Sequence, residues 1–174
     1  GAGANALDIN SGPLLRNPDK DMTFLVETVQ EVSGLPLVLD TSNPKAVEAG
    51  LIACKRKAII NGFSLQPEKL EHILPLARTY DAEIIGYLLL PTGHVPPDAS
   101  QRLNIALELY TKCIEAGIDK EQLTIDPVVV PILWQNGNRQ AREVLTVIRT
   151  LPELLGFRVR TIAGISNLTT GSGD

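Results

Sequence analysis

Cysteine is scarce in this chain. Cys54 and Cys113 are the only two among 174 residues, too few for a disulfide framework and in keeping with a reducing cytoplasm. Cations are outnumbered, with 16 Lys and Arg against 20 Asp and Glu and a formal net charge of −4. That excludes a general nucleic-acid or membrane-surface binder, because gripping phosphates needs concentrated Lys and Arg. No apolar run approaches the roughly 20 residues of a membrane span. The opening GAGANALDIN has neither a basic region nor a long apolar core, so no signal peptide is expected. It also lacks a starting Met, which points to a processed or truncated end. No His, Cys and carboxylate cluster has metal-ligand spacing, so a metal site is not expected. Ser11, Ser42 and Ser166 have no G-x-S-x-G context, which argues against a serine hydrolase. Gly1 to Ala6 has the spacing G-x-G-x-x-A, but it precedes a strand where a nucleotide loop must follow one.

What remains is a chain with 44% hydrophobic residues, long enough for one domain, 1–174, with a real core. It is organised around LPLVLDTSNPKAVEAGL at 35–51. A short apolar run, Pro36 to Leu39, ends in Asp40, and Asn43-Pro44 then opens a helix, Asn as N-cap and Pro at the first helical position. The unit is strand, acid, helix.

The same unit recurs. A strand from Ala6 to Asn10 precedes a helix capped by Asn17-Pro18 and running to about Ser33, with Phe24, Leu25, Val29 and Val32 as its apolar positions. The helix from Pro44 reaches about Cys54, and Lys57 to Asn61 forms a third strand. Pro67 opens a helix to about Tyr80 with Leu70, Ile73, Leu74 and Ala77 on one face, and Glu83 to Leu90 is a fourth strand. After the loop PTGHVPPD, Asp98 and Gln101 have capping-box spacing. The helix they start runs to Ala116, its apolar face made of Leu103, Ala106, Leu107, Tyr110, Cys113 and Ile114. Leu123 to Ile125 is a fifth strand, running into Asp126-Pro127, a helix covers about 139–155, and Arg158 to Ile165 is a sixth strand followed by Asn167.

Six strands alternating with five helices make an α/β chain with a parallel sheet and right-handed crossovers. The choice lies between a doubly wound sheet and a (β/α)8 TIM-barrel fold. A doubly wound sheet gathers its site at one switch point, whereas a barrel puts every strand's C-terminal end around one mouth. Five of the six strands end in, or run into, a short polar residue: Asn10, Asp40, Asn61, Asp126 and Asn167. The barrel is therefore expected, as an internal piece of a longer chain lacking its first and last units.

Carboxylates and carboxamides without a cation suit a neutral heterocycle with donors and acceptors along its edge. Singly, each of these residues also suits a turn or helix cap; five at equivalent places in the repeat favour a site. His72 is expected to face solvent, His94 to serve its Pro/Gly loop, Cys113 to lie in the core, and Trp134 either to pack on the rim or to cover a ligand.

The motifs LDINSGP at 7–13, LVLDTSNPKAVEAGL at 37–51, AIINGFS at 58–64, TIDPVVVP at 124–131 and GISNLTTG at 164–171 occur in this order. Together they resemble the pterin-binding barrel of the methyltetrahydrofolate methyltransferases, the branch acting on a corrinoid/iron-sulfur protein above all. The folate domain of cobalamin-dependent methionine synthase and demethylase-system methyltransferases are similar. Dihydropteroate synthase shares the fold, but its Ser-Thr-Arg loop is replaced by Asn10-Ser11-Gly12-Pro13 and its basic motif by Gly164 to Asn167. The resemblance implies that Asp40, Asn61 and Asp126 hydrogen-bond the pterin, with Asn10 at the mouth and Asn167 catalytic beside N5. It implies methyl transfer between methyltetrahydrofolate and the cobalt of a corrinoid (cobalamin) on a partner protein, with no metal in the barrel and a homodimer. A non-catalytic pterin-binding module is the alternative from another class.

Overall fold

A computed structural model describes residues 3–10, 12 and 16–171. Its strands are β1 (Leu7–Ile9), β2 (Leu37–Asp40), β3 (Ile59–Phe63), β4 (Glu83–Tyr87), β5 (Leu123–Asp126) and β6 (Arg160–Thr161). Between them run α1 (Pro18–Val32), α2 (Pro44–Ala53), α3 (Pro67–Thr79), α4 (Ala99–Glu115) and α5 (Gly137–Leu155). Two 3₁₀ turns, Lys120–Gln122 and Ile165–Thr169, flank the last strands.

The strands pair in sequence order, β1-β2-β3-β4-β5-β6, and every pairing is parallel. A doubly wound sheet reverses its order at a switch point; this one never does. Successive right-handed crossovers then leave every helix on the same side, which is the singly wound arrangement of a barrel. Among the described residues β1 does not pair with β6, so the curved sheet is open.

Side-chain alternation separates the two faces. Leu39, Ile60, Ile84, Leu123 and Ile125 point toward the helices and are buried to 1% exposure or less. They meet Met22 and Val26 of α1, Val47 of α2, Ile73 and Ala77 of α3, Leu109 and Cys113 of α4, and Val147 and Leu151 of α5 in one continuous core. At roughly 25 cal/mol per Å² of apolar surface, burial on this face is the main source of stability. The opposite face carries Asp8, Val38, Asp40, Ile59, Asn61, Ile85, Tyr87, Thr124 and Asp126, as the strand register requires. It turns from apolar to polar toward the C-terminal ends.

Several local features depart from the sequence expectations. In α1 the buried residues are Met22 and Val26, while Phe24 is 66% and Val32 86% exposed. At about 100° per residue Phe24 stands some 200° from both Met22 and Val26, so it cannot share their stripe. In α4 Leu107 and Ile114 are likewise exposed, and Arg102 instead joins Ile105, Ala106, Leu109 and Cys113 inside. Asn17 makes no side-chain cap bond, whereas Asn43 accepts from the backbone N–H of Lys45 and Ala46. Strand β4 stops at Tyr87: the Leu88 N–H still reaches the Asp126 carbonyl of β5, but the N–H groups of Leu89 and Leu90 turn to the Tyr87 and His94 carbonyls. Strand β6 is only two residues long. No helix among the described residues is long and apolar enough to cross a membrane.

Strand β3 runs two residues past Asn61, through Gly62 to Phe63, with a register shift against β4 between Asn61 and Phe63. A Cβ on Gly62 would lie 2.3 Å from the carbonyl oxygen of Ile85. Gly62→Ala is therefore expected to push β3 off β4 and to cost about 1–3 kcal/mol, read as a lower midpoint in urea unfolding; an unchanged midpoint would show that the strands can separate freely here.

Candidate functional site

The polar inner face is assembled from strand ends. Asp40 closes β2 and is partly buried. The residue just past β1, Asn10, donates from Nδ2 to Oδ2 of Asp40 at 2.7 Å. In register with Asp40 on the next strand is Asn61, whose Oδ1 accepts a short hydrogen bond from the Tyr87 hydroxyl of β4. Tyr87 is in turn the register partner of Asp126 on β5. Asn61 is also close enough to Asp8, two residues before Asn10 and on the same face of β1, to favour its carboxylate.

Negative charge predominates here, and half-buried Lys69 on α3, its pKa lowered by desolvation, is near enough to Asp40 to be held charged by it in part. Burial pushes the Tyr87 hydroxyl far up, and the nearby Asp40, Asp126 and Asp8 carboxylates push it further. The phenol therefore stays protonated and remains a donor. Asp126 is raised by burial, with a partial offset from the Val128 N–H that its Oδ1 accepts at 2.7 Å. Asp8 is raised first by desolvation against the strands and then by Asp40, while nearby Asn61 pulls it down. Among the described residues no Lys or Arg forms an ion pair with Asp8, Asp40 or Asp126. Three carboxylates and two amides around one phenol make a surface rich in acceptors and short of donors, matched by a ligand edge of adjacent N–H groups.

Asp126 sits in an Asx turn, its Oδ1 accepting from the N–H two residues on, and the backbone beyond it is unusual. Val128 has φ +60°, a left-handed conformation that costs a β-branched residue on the order of 1–3 kcal/mol. That φ redirects the chain beyond Val128, while the Val128 N–H, fixed in the plane of the Pro127–Val128 peptide, meets the carboxylate.

The structure thus brings Asn10, Asp40, Asn61 and Asp126 together, with two neighbours, Asp8 and Tyr87, that the sequence reading does not single out. Period-2 alternation could have found both: Asp8 shares a face with Asn10, and Tyr87 shares one with Ile85. Asn167 stands apart. It lies exposed on the 3₁₀ turn after β6, its Nδ2 over Gly164, and no side-chain hydrogen bond joins it to the other four. The Ile132 N–H, bonded to the Leu168 carbonyl at 3.1 Å, ties this turn to the segment that follows β5. His72 is exposed, and His94 is an exposed loop residue whose Nδ1 meets Thr92 Oγ1 at 3.1 Å. Cys113 is fully buried, and burial raises its thiol to about 12. Trp134 is 59% exposed in the turn before α5.

The sequence pattern of the family described as pterin binding enzyme matches residues 1–173. The chain belongs to the pterin binding enzyme family. It is 21% identical over 177 aligned residues to the methylcorrinoid:tetrahydrofolate methyltransferase of Eubacterium limosum, covering 98% of the present chain and 62% of that relative. This family member therefore spans under two thirds of the curated relative's length. Among solved structures it is similar to dihydropteroate synthase of Xanthomonas albilineans bound to indole-2-carboxylic acid and 6-chloroguanine, with 23% identity and a TM-score of 0.65 over 94% of this chain and 59% of that one. Dihydropteroate synthase of Yersinia pestis is also similar, at 21% identity and a TM-score of 0.66, over 97% of this chain and 64% of that one. These likenesses establish the pterin-binding barrel fold.

Proposed function

We propose that this single pterin-binding domain holds tetrahydrofolate at the Asp40–Asn61–Asp126 rim and moves a methyl group between its N5 and the cobalt of a corrinoid on a partner protein. The observation that carries the pterin reading is the inner-face ring, in which five polar side chains from four strands offer acceptors with no cation among them. A pterin presents an amino group and a ring N–H side by side, and a carboxylate accepts from both. The methyl-transfer reading is supported by the motif resemblance and by the named activity of the curated relative.

In this reading Asp126 and Asp40 take the donor edge, Asn61 takes a mixed donor and acceptor position, and Asn10 keeps Asp40 oriented. The N5–C bond breaks with its electron pair staying on N5, which takes up a proton; the reduced Co(I) of the partner's corrinoid supplies the pair for the new C–Co bond and becomes methyl-Co(III). The reverse reaction runs through the same atoms. Asn167 is proposed to hydrogen-bond N5 as its charge changes. The corrinoid is the partner's cargo, and the barrel supplies no metal. A homodimer and a cytoplasmic setting complete the proposal, the latter supported by the two free thiols.

The decisive experiment combines folate calorimetry with a transfer assay using methyltetrahydrofolate and reduced free cobalamin. Binding with transfer is expected; binding without transfer leaves a pterin-binding module, and no folate binding overturns the reading. Tyr87→Phe frees Asn61 Oδ1 from its donor, a loss worth about 0.5–1.5 kcal/mol. Folate affinity is expected to fall about three- to tenfold, and an affinity equal to wild type would take Tyr87 out of the site.

A further inference from the structure

Arg102 is the largest fully buried side chain among the described residues, at 0% exposure. A buried guanidinium needs partners, and its surroundings explain where they come from. The loops at the mouth after β4 and β5, PTGHVPPD and DPVVVP, are rich in proline. Proline has a carbonyl but no N–H, so such loops carry acceptors that they cannot satisfy themselves. Arg102 supplies the missing donors. Its Nε donates to the Pro96 carbonyl at 3.0 Å, and its Nη1 to the carbonyls of Pro127 at 2.7 Å and Val128 at 3.2 Å. Its Nη2 donates to Oε1 of Gln140 on α5 at 2.8 Å. The Glu143 carboxylate, which accepts from the Ala99 N–H at the start of α4 at 2.9 Å, and Asp98, which caps that helix, supply compensating charge.

We infer that Arg102 is a positioning residue for the pterin site: its fork holds the Pro127 carbonyl, and with it the Pro127–Val128 peptide plane whose N–H meets Asp126, and so fixes the carboxylate for the ligand. The two ends of the chain of contacts are direct. Arg102 grips the Pro127 carbonyl at 2.7 Å, and the N–H of the same planar peptide, that of Val128, donates to Asp126 Oδ1 at 2.7 Å. The rigid planar fork of Arg matches three separated carbonyls and an amide; an ammonium cannot reach them all. The inference rests on the pterin reading for its functional consequence, while the clamp itself does not.

Two measurements on Arg102→Lys separate these. The first is amide exchange at Val128, expected to quicken at least tenfold with the amides of β3 and β4 unchanged. The second is tetrahydrofolate affinity in a double-mutant cycle with Asp126→Ala. Arg102→Lys is expected to weaken binding at least fivefold in the wild-type background and less than twofold in the Asp126→Ala background. Equal losses in both backgrounds would mean general loosening and overturn the positioning role, as would unchanged Val128 exchange. Should Arg102→Lys not fold, Gln140→Ala removes one arm of the clamp and is expected to give about a twofold loss with the same dependence on Asp126; a loss independent of Asp126 overturns the inference. Faster Val128 exchange in a protein whose wild type binds no folate would instead overturn the pterin reading and leave the clamp standing.

Discussion

Asn167→Ala is expected to lower single-turnover methyl transfer at least thirtyfold, roughly 2 kcal/mol, with a smaller loss in folate affinity. A tertiary amine is a poor leaving group until N5 gains positive charge, so a partner for N5 contributes most where that charge develops. Among the motifs, Asn167 is the polar side chain that follows the sixth strand, and its exposed amide, bonded to none of the ring residues, is free to meet a ligand. An amide can donate to N5 or accept from N5–H⁺, and either interaction grows toward the transition state, which raises rate and not affinity alone. Removing one preorganised partner typically lowers rate about 10²–10³-fold; the expected thirtyfold is a lower bound because the turn carrying Asn167 is exposed. The backbone bond that ties this turn to the segment after β5, from the Ile132 N–H to the Leu168 carbonyl, does not involve the Asn167 side chain. A rate within threefold of wild type at saturating folate would end this assignment.

Asp126→Ala is expected to weaken folate binding at least tenfold. Each charge-assisted hydrogen bond to the pterin edge contributes about 1.5–3 kcal/mol, and the truncation also strands the Val128 N–H that Asp126 now accepts. Asp126→Asn should hurt binding too, because one side of the amide is a donor facing a donor. Its effect on stability has the opposite sign. Burial raises the Asp126 carboxyl in the folded state, so the protonated side chain favours folding and this contribution is lost as pH rises above the ordinary aspartate range. Asn is neutral throughout and can still accept from Val128. Asp126→Asn is thus expected to melt above wild type at pH 7 and level with it near pH 3, while binding folate worse. Unchanged folate affinity for Asp126→Ala by calorimetry would remove the residue from the site.

The order of strands and helices was legible because each βα unit carries its own signals, an apolar run, a polar stop and a Pro at the first helical turn, as at Asp40, Asn43 and Pro44. Faces were less legible where an element has more apolar residues than its buried stripe can hold. Phe24 and Val32 fit helical spacing yet lie outside, because Met22 and Val26 already fill the contact with α2 and the sheet. The polar ring was legible where a polar residue stands at a strand end, at Asn10, Asp40, Asn61 and Asp126, but not at Asn167, which stands apart from it. It was missed where the polar residue sits inside a strand: Asp8 between Leu7 and Ile9, and Tyr87 at the end of an apolar run that reads as continuing to Leu90. Arg102 was invisible for a different reason. A charged residue in a helix reads as solvent-facing, and only the tertiary arrangement of two proline-rich loops turns it inward.

The central claim is that the inner-face ring reads the pterin edge, and a crystal structure with bound tetrahydrofolate tests it most directly. The pterin amino and ring N–H groups are expected within about 3.2 Å of the Asp126 carboxylate, with Asp40 and Asn61 on the same ring and N5 toward Asn167. A pterin seated elsewhere on the molecule, or one at the mouth with Asp126 still bonded only to Val128, would contradict it.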